Sequence, residues 1–404
     1  MQTIPRRARV QSFIKVELYS EEQIKEKAPR MIQARDQGMA GMLGQYLTPL
    51  EHEILGGKGL GPSQTPECFK GLNAYERAEV FLQKVAQFRR PAYIMRDFSK
   101  FDAHIQVHLL QLEHRFYRQC FGTEMKILDQ QLKNVCYTKN GIKYRTEGTR
   151  MSGDRNTGGG NSIINIAVTH ACLDPLGIKF EFLCDGDDSV VILEAEDVEE
   201  ACKSFDEVLP KCFGLKETRE VTHLLHEVEF CHSKIFFQHD GTPIMVRNPH
   251  RILQNFHHCP LRVAGRDLQM RILGKAMCEL VSNCGTPFEL VARELVNKIT
   301  NYTRVARFED PTKAARFQDL KQSYRRLPIG NAQFAQYDQL FSLTEAEIRM
   351  MAEGMACLDM PAGREGGYPT LGWLDVEIAE IYRLNGAEDD MEKLLDQCEW
   401  PLDW

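Results

Sequence analysis

The sequence predicts an α+β fold, a small antiparallel sheet packed on helices with a helical C-terminal part. Three observations predict it. The short apolar runs Phe180–Cys184 and Ser189–Leu193 have strand length, and the Asp185-Gly186 pair between them is a hairpin turn signal. Ile105, Leu109, Leu112, Phe116 and Cys120 recur at helical spacing, which places an amphipathic helix over residues 103–120. From about residue 250 onward the pattern is mostly helical.

The remaining elements follow in chain order. The first 90 residues are punctuated by Gly and Pro and read as irregular. Their cluster Gly56-Gly57-Lys58-Gly59-Leu60-Gly61-Pro62 lacks the G-K-[ST] ending of a phosphate-binding loop and reads as a turn. Residues 72–90 read as a helix that Pro91 closes, since proline lacks the N–H a helix needs. A strand over Ala92–Met95 then runs into Asp97, residues 161–173 form a second helix, and Glu194 to Phe213 is helical again. Two more strands are expected at Glu229–Phe237 and Pro243–Arg247.

Composition narrows the class. With 404 residues, 43% hydrophobic and 26% charged, the chain is long enough for a large core and is no disordered or fibrous protein. Its longest mostly apolar stretch, Ser162–Leu173, falls short of the roughly 20 residues a spanning helix needs, so no direct membrane span is expected. The arginines of Met1–Val10 have no apolar run behind them and make no secretory signal. Thirteen scattered cysteines without a C-x-x-C read as buried thiols of a reduced, intracellular protein. Cys231-His232 and His257-His258-Cys259 are the only adjacent zinc-ligand types.

The net charge of −7 is unevenly distributed: +3 over residues 1–50, +8 over 245–326 and −12 over 327–404. Such a pattern suits an enzyme that holds a polyanion on one surface, and solvated helix faces would give it equally well.

Three clusters carry chemistry. In Asp97-Phe98-Ser99-Lys100-Phe101-Asp102, Asp97 ends a strand and Asp102 stands at a helix start, where a carboxylate also serves as an N-cap. Ser152-Gly153-Asp154-Arg155-Asn156-Thr157-Gly158-Gly159-Gly160-Asn161 opens a helix with three glycines, which cost up to ~1 kcal/mol each against alanine. A sequence tolerates that where backbone must approach a sugar or phosphate closely. A helix beginning near Thr157 puts Thr157 and Asn161 on one face. Gly186-Asp187-Asp188 tips the hairpin, and adjacent carboxylates in a tight turn call for a cation or a strong donor, or for solvent. Each acidic cluster is weak alone. In this order they describe two strand-borne carboxylate sites that could serve phosphoryl transfer with two Mg²⁺ ions, which need only one or two carboxylates plus substrate phosphates.

The chain resembles the RNA-dependent RNA polymerases of plus-strand RNA viruses, specifically the tombusvirus-like group. The similarity extends to Ser12–Glu17, Ala28–Arg35, Tyr46–His52, Phe69–Asn73, Leu112–His114, Glu229–Cys231 and Met245–Pro249, and covers about residues 12–250. It implies a right hand: fingers over 1–91, N-terminally incomplete against the family; palm over 92–248 with an inserted fingers segment at about 121–150; and a helical thumb with an acidic tail over 249–404. By the resemblance, Asp97, Asp187 and Asp188 hold two Mg²⁺ ions, with Mn²⁺ as a substitute. Asp102 and Asn161 read the ribose 2′-OH, Ser152, Gly153 and Thr157 shape the loop beside it, and Lys15, Arg30 and Arg35 hold the triphosphate. Lys216 stands where polymerases carry a general acid for pyrophosphate, a place that also suits a helix-end lysine.

The implied partners are template and product RNA and nucleoside triphosphates. Only fourteen residues precede Lys15, where the family carries a substantial stretch of fingers. Either this chain is the downstream part of a longer product, or its fingers are truncated, or a second protein completes them. An upstream viral replication protein or segment is thus one expected partner, and another segment or protein would bring the chain to membrane-associated replication sites in the host cytoplasm. The glycine triplet departs from the family, which has larger residues before its Asn. The basic stretch 245–326 is expected to face the RNA duplex, and the acidic end, Gly386–Trp404, has no assignment. A reverse transcriptase fits less well, because Cys184-Asp185-Gly186 lacks the aromatic that opens its turn.

Overall fold

The computed structural model describes residues 9–15, 25, 28–51, 65–122, 125–256, 265–304, 306–308 and 311–357. The Gly56–Pro62 cluster, His257-His258-Cys259 and the acidic end lie outside them. The chain divides into two compact units, Met1–Leu72 with Glu79–Cys231, and Asn73–Ala78 with His232–Trp404.

The first unit holds two four-stranded sheets. One has the order β2-β1-β4-β5, built from β1 (Arg9–Ile14), β2 (Met31–Arg35), β4 (Lys133–Thr138) and β5 (Lys143–Glu147), with β1 and β4 parallel and the other pairs antiparallel. The other, order β6-β7-β3-β8, is wholly antiparallel and joins β3 (Pro91–Phe98), β6 (Phe180–Asp185), β7 (Asp188–Glu194) and β8 (Glu217–Thr222). Its two central strands are buried apolar runs: Ala92, Tyr93 and Ile94 of β3 and Val190 to Leu193 of β7 are nearly or wholly inaccessible. The helix Thr157–Leu173 buries twelve of its seventeen residues against this core, which explains apolar residues on most of its circumference.

Several expectations shift in detail. The predicted helix over 72–90 spans Ala74–Val85, and Pro91 is itself the first residue of β3, a position where a strand tolerates proline. The stretch 103–120 is broken at Ile105-Gln106 into Phe101–His104 and Val107–Phe121. The longer helix buries Leu109, Leu110, Glu113, His114 and Tyr117, whereas Leu112 and Cys120 are exposed. The apolar spacing pointed to a face rotated away from this one, because two of the buried residues are polar. Residues 1–90 are less irregular than expected: β1, β2 and a helix over Gln37–Leu50, capped by Asp36, stand there. The helix after β7 covers Val198–Val208, and Pro210 falls in a wider π-turn, Leu209–Phe213.

The second unit holds the hairpin β9 (Ser233–Phe237) and β10 (Pro243–Arg247) and the helices Pro249–Phe256, Gly265–Ser282, Phe288–Thr300, Pro311–Ser323, Asn331–Phe341 and Glu345–Ala356. The predicted strand from Glu229 starts only at Ser233, since Cys231 and His232 adopt left-handed backbone. Within the basic stretch, Arg247, Arg271, Arg293, Arg307 and Arg325 form ion pairs inside the unit, so part of its positive charge is neutralised there. Among the described residues no helix is long and apolar enough to cross a membrane.

Candidate active site

The carboxylates meet because of strand register. β3 and β7 pair antiparallel as far as Arg96 and Ser189. Asp97 follows Arg96 at this end of β3, near enough to act electrostatically on both Asp187 and Asp188. Asp188 in turn pairs with Asp185 across the hairpin. Gly186 turns the chain at φ +75°, a region that favours glycine, so Asp187 is presented exposed at the tip. Loss of hydration raises the Asp187 carboxyl, Asp102 and Asp97 add repulsion, and Arg30 opposes them. Asp188 is half-buried and pushed up to about 7, first by desolvation and then by Asp187, although the Cys231 N–H donates to its Oδ2 at 3.1 Å.

The helix Thr157–Leu173 holds this turn from behind. Asn165, fully buried, donates from Nδ2 to the carbonyls of Gly186 (3.1 Å) and Asp187 (3.3 Å). The Ser162 hydroxyl accepts from the Gly186 N–H at 2.8 Å. Thr169 donates to Asn165 Oδ1 at 3.4 Å and accepts from Arg96 at 2.6 Å, and Arg96 reaches Glu217 at 2.7 Å while lying over the Phe205 ring. A chain of buried polar groups thus runs from β8 to the tip of the hairpin. Sequence reasoning missed it. The signal was Ser162, Asn165 and Thr169 at i, i+3 and i+7 within an apolar helix, one polar stripe where none is needed for solvent.

The glycine-rich segment is stitched to β2. The Gln33 N–H donates to Ser152 Oγ at 3.1 Å, and the Gly153 N–H donates to the Gln33 carbonyl at 3.0 Å. A Cβ on Gly153 would lie 2.7 Å from Ala34 Cα, so only glycine permits this approach. Thr157 turns its hydroxyl onto the carbonyls of Met151 (3.0 Å) and Asp154 (2.9 Å) and so closes the loop. Asn161 donates to Asp102 Oδ1 at 2.8 Å and accepts from Arg150 Nε at 3.0 Å. Burial works to lower the Arg150 pKa, but the Glu113 carboxylate beside it outweighs that and raises it. Gly160 makes room for this pair: a Cβ there would stand 2.6 Å from Glu113 Cδ and 2.8 Å from Arg150 Nη2. Its glycine answers to an internal ion pair and needs no ligand to explain it.

The basic residues divide. Arg30 is exposed and acts electrostatically on Asp187, and its carbonyl accepts from the Lys15 N–H at 2.8 Å. Arg35 is buried, its guanidinium paired with Asp154 and donating to Asn134 at 2.8 Å, so a phosphate would have to displace those partners. Lys216 is exposed at the start of β8, and its carbonyl accepts from the Ser99 N–H at 2.8 Å just past the end of β3, on the same sheet end as Asp97.

The carboxylate set offers only oxygen donors and mutual repulsion, the chemistry a hard dication relieves. Among the described residues no three His, Cys, Asp or Glu side chains converge as a ready-made cage. Magnesium does not require one, since it takes one or two carboxylates and fills its shell with water and phosphate.

Residues 3–326 match the family described as viral RNA dependent RNA polymerase. The RNA-directed RNA polymerase of Tobacco necrosis virus (strain A) is 33% identical over 258 residues, 60% of this chain and 34% of that protein. That of Tomato bushy stunt virus (strain Cherry) is 34% identical over 267 residues, 64% of this chain and 32% of the relative. That of Cucumber necrosis virus is 36% identical over 271 residues, with the same coverages of 64% and 32%. The aligned segments thus span about a third of each of these relatives.

Proposed function

The chain belongs to the viral RNA-dependent RNA polymerase family, and from that premise we propose that it extends RNA on an RNA template during replication of a viral genome. The observation that carries this reading is the gathering of Asp97 and Asp102 about the Asp187-Asp188 turn at one end of the sheet, with Asn161 bonded to Asp102. The antiparallel sheet β6-β7-β3-β8 would be the palm of a right hand, the N-terminal sheet part of the fingers, and the helices after residue 249 the thumb.

Asp97, Asp187 and Asp188 would hold two Mg²⁺ ions, Mn²⁺ being the substitute. When bound, these ions stabilise charge on the attacking and leaving oxygens of an in-line displacement. The protein's own groups do the rest. Asn165 and Ser162 hold the turn so that Asp187 is presented without reorganising. Asp102 keeps Oδ2 for the ribose 2′-OH, because Asn161 occupies only Oδ1. Ser152 and Gly153, tied to β2, shape the floor under the incoming sugar, and Thr157 keeps that loop closed. Arg30 and Lys15, at the entrance of β2, supply positive charge for the triphosphate, and Arg35 supports them by anchoring β2 to Asp154. Lys216, exposed at the same sheet end, is the candidate proton donor to pyrophosphate.

Template and product RNA and nucleoside triphosphates are the partners this reading requires, and an upstream viral replication protein or segment is proposed as a further one. The site of action would be the host cytoplasm, at membranes reached through that other segment or protein. The test is ribonucleotide incorporation on a short primed RNA template with Mg²⁺ or Mn²⁺. Incorporation that disappears in Asp187→Ala is expected, and incorporation that survives the substitution refutes the reading.

A further inference from the structure

Resting on the polymerase reading, we propose that Arg150, locked by Glu113, is the positioning residue that sets discrimination between ribo- and 2′-deoxyribonucleotides. Arg150 does not meet the sugar. It governs both residues that would.

The main-chain N–H of Arg150 donates to the Asp102 carbonyl at 2.8 Å, and its side-chain Nε donates to Asn161 Oδ1 at 3.0 Å. One residue therefore fixes the backbone of the first reader and the amide of the second. An asparagine amide has a donor end and an acceptor end, and which faces the ligand depends on its neighbours. Arginine has no acceptor, so it admits only Oδ1 and turns Nδ2 toward Asp102 Oδ1, 2.8 Å away. Asp102 favours the same orientation, but Asp102 is half-buried and is the group asked to accept a ribose hydroxyl. Only the buried arginine holds the amide whether or not a nucleotide is present.

The guanidinium is held in its turn. Arg150 and Glu113 are both almost wholly inaccessible, and Glu113 shares its other oxygen between the Tyr117 hydroxyl (2.8 Å) and Asn156 Nδ2 (2.6 Å). Asn156 accepts from Gln131 at 2.8 Å, which extends the frame to the segment before β4. A buried ion pair is a poor source of net stability, because desolvation offsets most of its attraction. Fixing a donor direction is what it does well. Gly160, which has no side chain to crowd the pair, fits that purpose.

The experiment measures kcat/KM for a ribonucleoside triphosphate and its 2′-deoxy counterpart on the primed template, for wild type, Arg150→Lys, Asn161→Ala and the double variant. Melting temperatures are recorded in parallel. Arg150→Lys keeps the charge and removes the fixed fork. The expected result is a fall of about tenfold or more in the ribo/deoxy ratio, the order that loss of one hydrogen bond from a charged group gives. Adding Arg150→Lys to Asn161→Ala should not lower the ratio further, since the arginine acts through the amide. A purely structural arginine would lower both rates together and leave the ratio as in wild type, which would overturn the proposal. Should Arg150→Lys fail to fold, Tyr117→Phe carries the test. It frees Glu113 of one donor without removing a charge, and a ratio lowered about threefold supports the proposal while an unchanged ratio overturns it. Wild-type protein that incorporates no ribonucleotide even with the upstream viral sequence supplied removes the polymerase reading and this proposal with it. Incorporation with an unaltered ratio removes this proposal alone.

Discussion

Gly160→Ala is the substitution whose effect the structure specifies most sharply. In a helix interior, alanine is ordinarily better than glycine by about 1 kcal/mol. Here the added methyl would stand 2.6 Å from Glu113 Cδ and 2.8 Å from Arg150 Nη2, and it would press on Glu113 Oε1 more closely still. Neither partner is the free end of a flexible surface chain: Glu113 and Arg150 are fully buried and tied on several sides. Forcing a methyl into such a place costs about 1–3 kcal/mol, and prising the ion pair apart costs up to about 3–5 kcal/mol. Even after the helix-propensity gain, a net loss of about 1–3 kcal/mol is expected. The matched control is Gly41→Ala in the helix Gln37–Leu50, where a Cβ meets nothing within 4 Å; it should stabilise by up to about 1 kcal/mol. Urea denaturation followed by circular dichroism checks both, read as opposite shifts of the midpoint. If Gly160→Ala proved as stabilising as Gly41→Ala, the reasoning that ties this glycine to the buried pair would be refuted.

Three other outcomes follow from the same contacts. Asn165→Ala releases the carbonyls of Gly186 and Asp187, and should raise the Mg²⁺ concentration for half-maximal incorporation about 10–100-fold, as loss of a group supporting metal ligands does; an unshifted Mg²⁺ titration would contradict it. His170 bonds Glu67 at 2.9 Å and Asp174 at 3.0 Å, and its pKa is raised to about 9, chiefly by the Glu67 hydrogen bond. A raised histidine stabilises the fold fully below its unfolded pKa near 6.5 and loses that contribution as pH climbs through about 9, on the order of 2–3 kcal/mol in all. The urea midpoint of wild type should therefore drop between pH 6 and 9 more than that of His170→Gln, and parallel pH profiles would dispose of the idea. Asp154→Ala leaves the Arg35 guanidinium buried without its carboxylate, and should cost about 3–5 kcal/mol, measurable by thermal melting; a loss under 1 kcal/mol would show that the site rehydrates.

The local features of the fold and the candidate site were open to reading because their causes are local. An Asp-Gly pair turns a hairpin through the backbone of one residue, Gly186, and apolar runs such as Val190–Leu193 announce a strand buried on both faces. Charged edge strands announce nothing, unlike β6, an edge strand whose run Phe180–Cys184 is mostly apolar. β5 is Lys143-Tyr144-Arg145-Thr146-Glu147 and β8 is Glu217-Thr218-Arg219-Glu220-Val221-Thr222, both charged because one side of each meets water, so neither shows the pattern of a core strand.

What the sequence determined by itself, then, was which carboxylates, turn and glycine-rich helix start belong together, and through resemblance the family in which to place them. The tertiary structure alone decided that Glu113, His114 and Arg35 go inside. Spacing of apolar side chains sends Glu113, His114 and Arg35 to the surface, because burying a polar group is costly until its partner is known. Those partners, Arg150, Gln131 and Asp154, lie 37, 17 and 119 residues away in the chain. A buried polar network is held by contacts between distant segments, and no local period in the chain encodes such contacts.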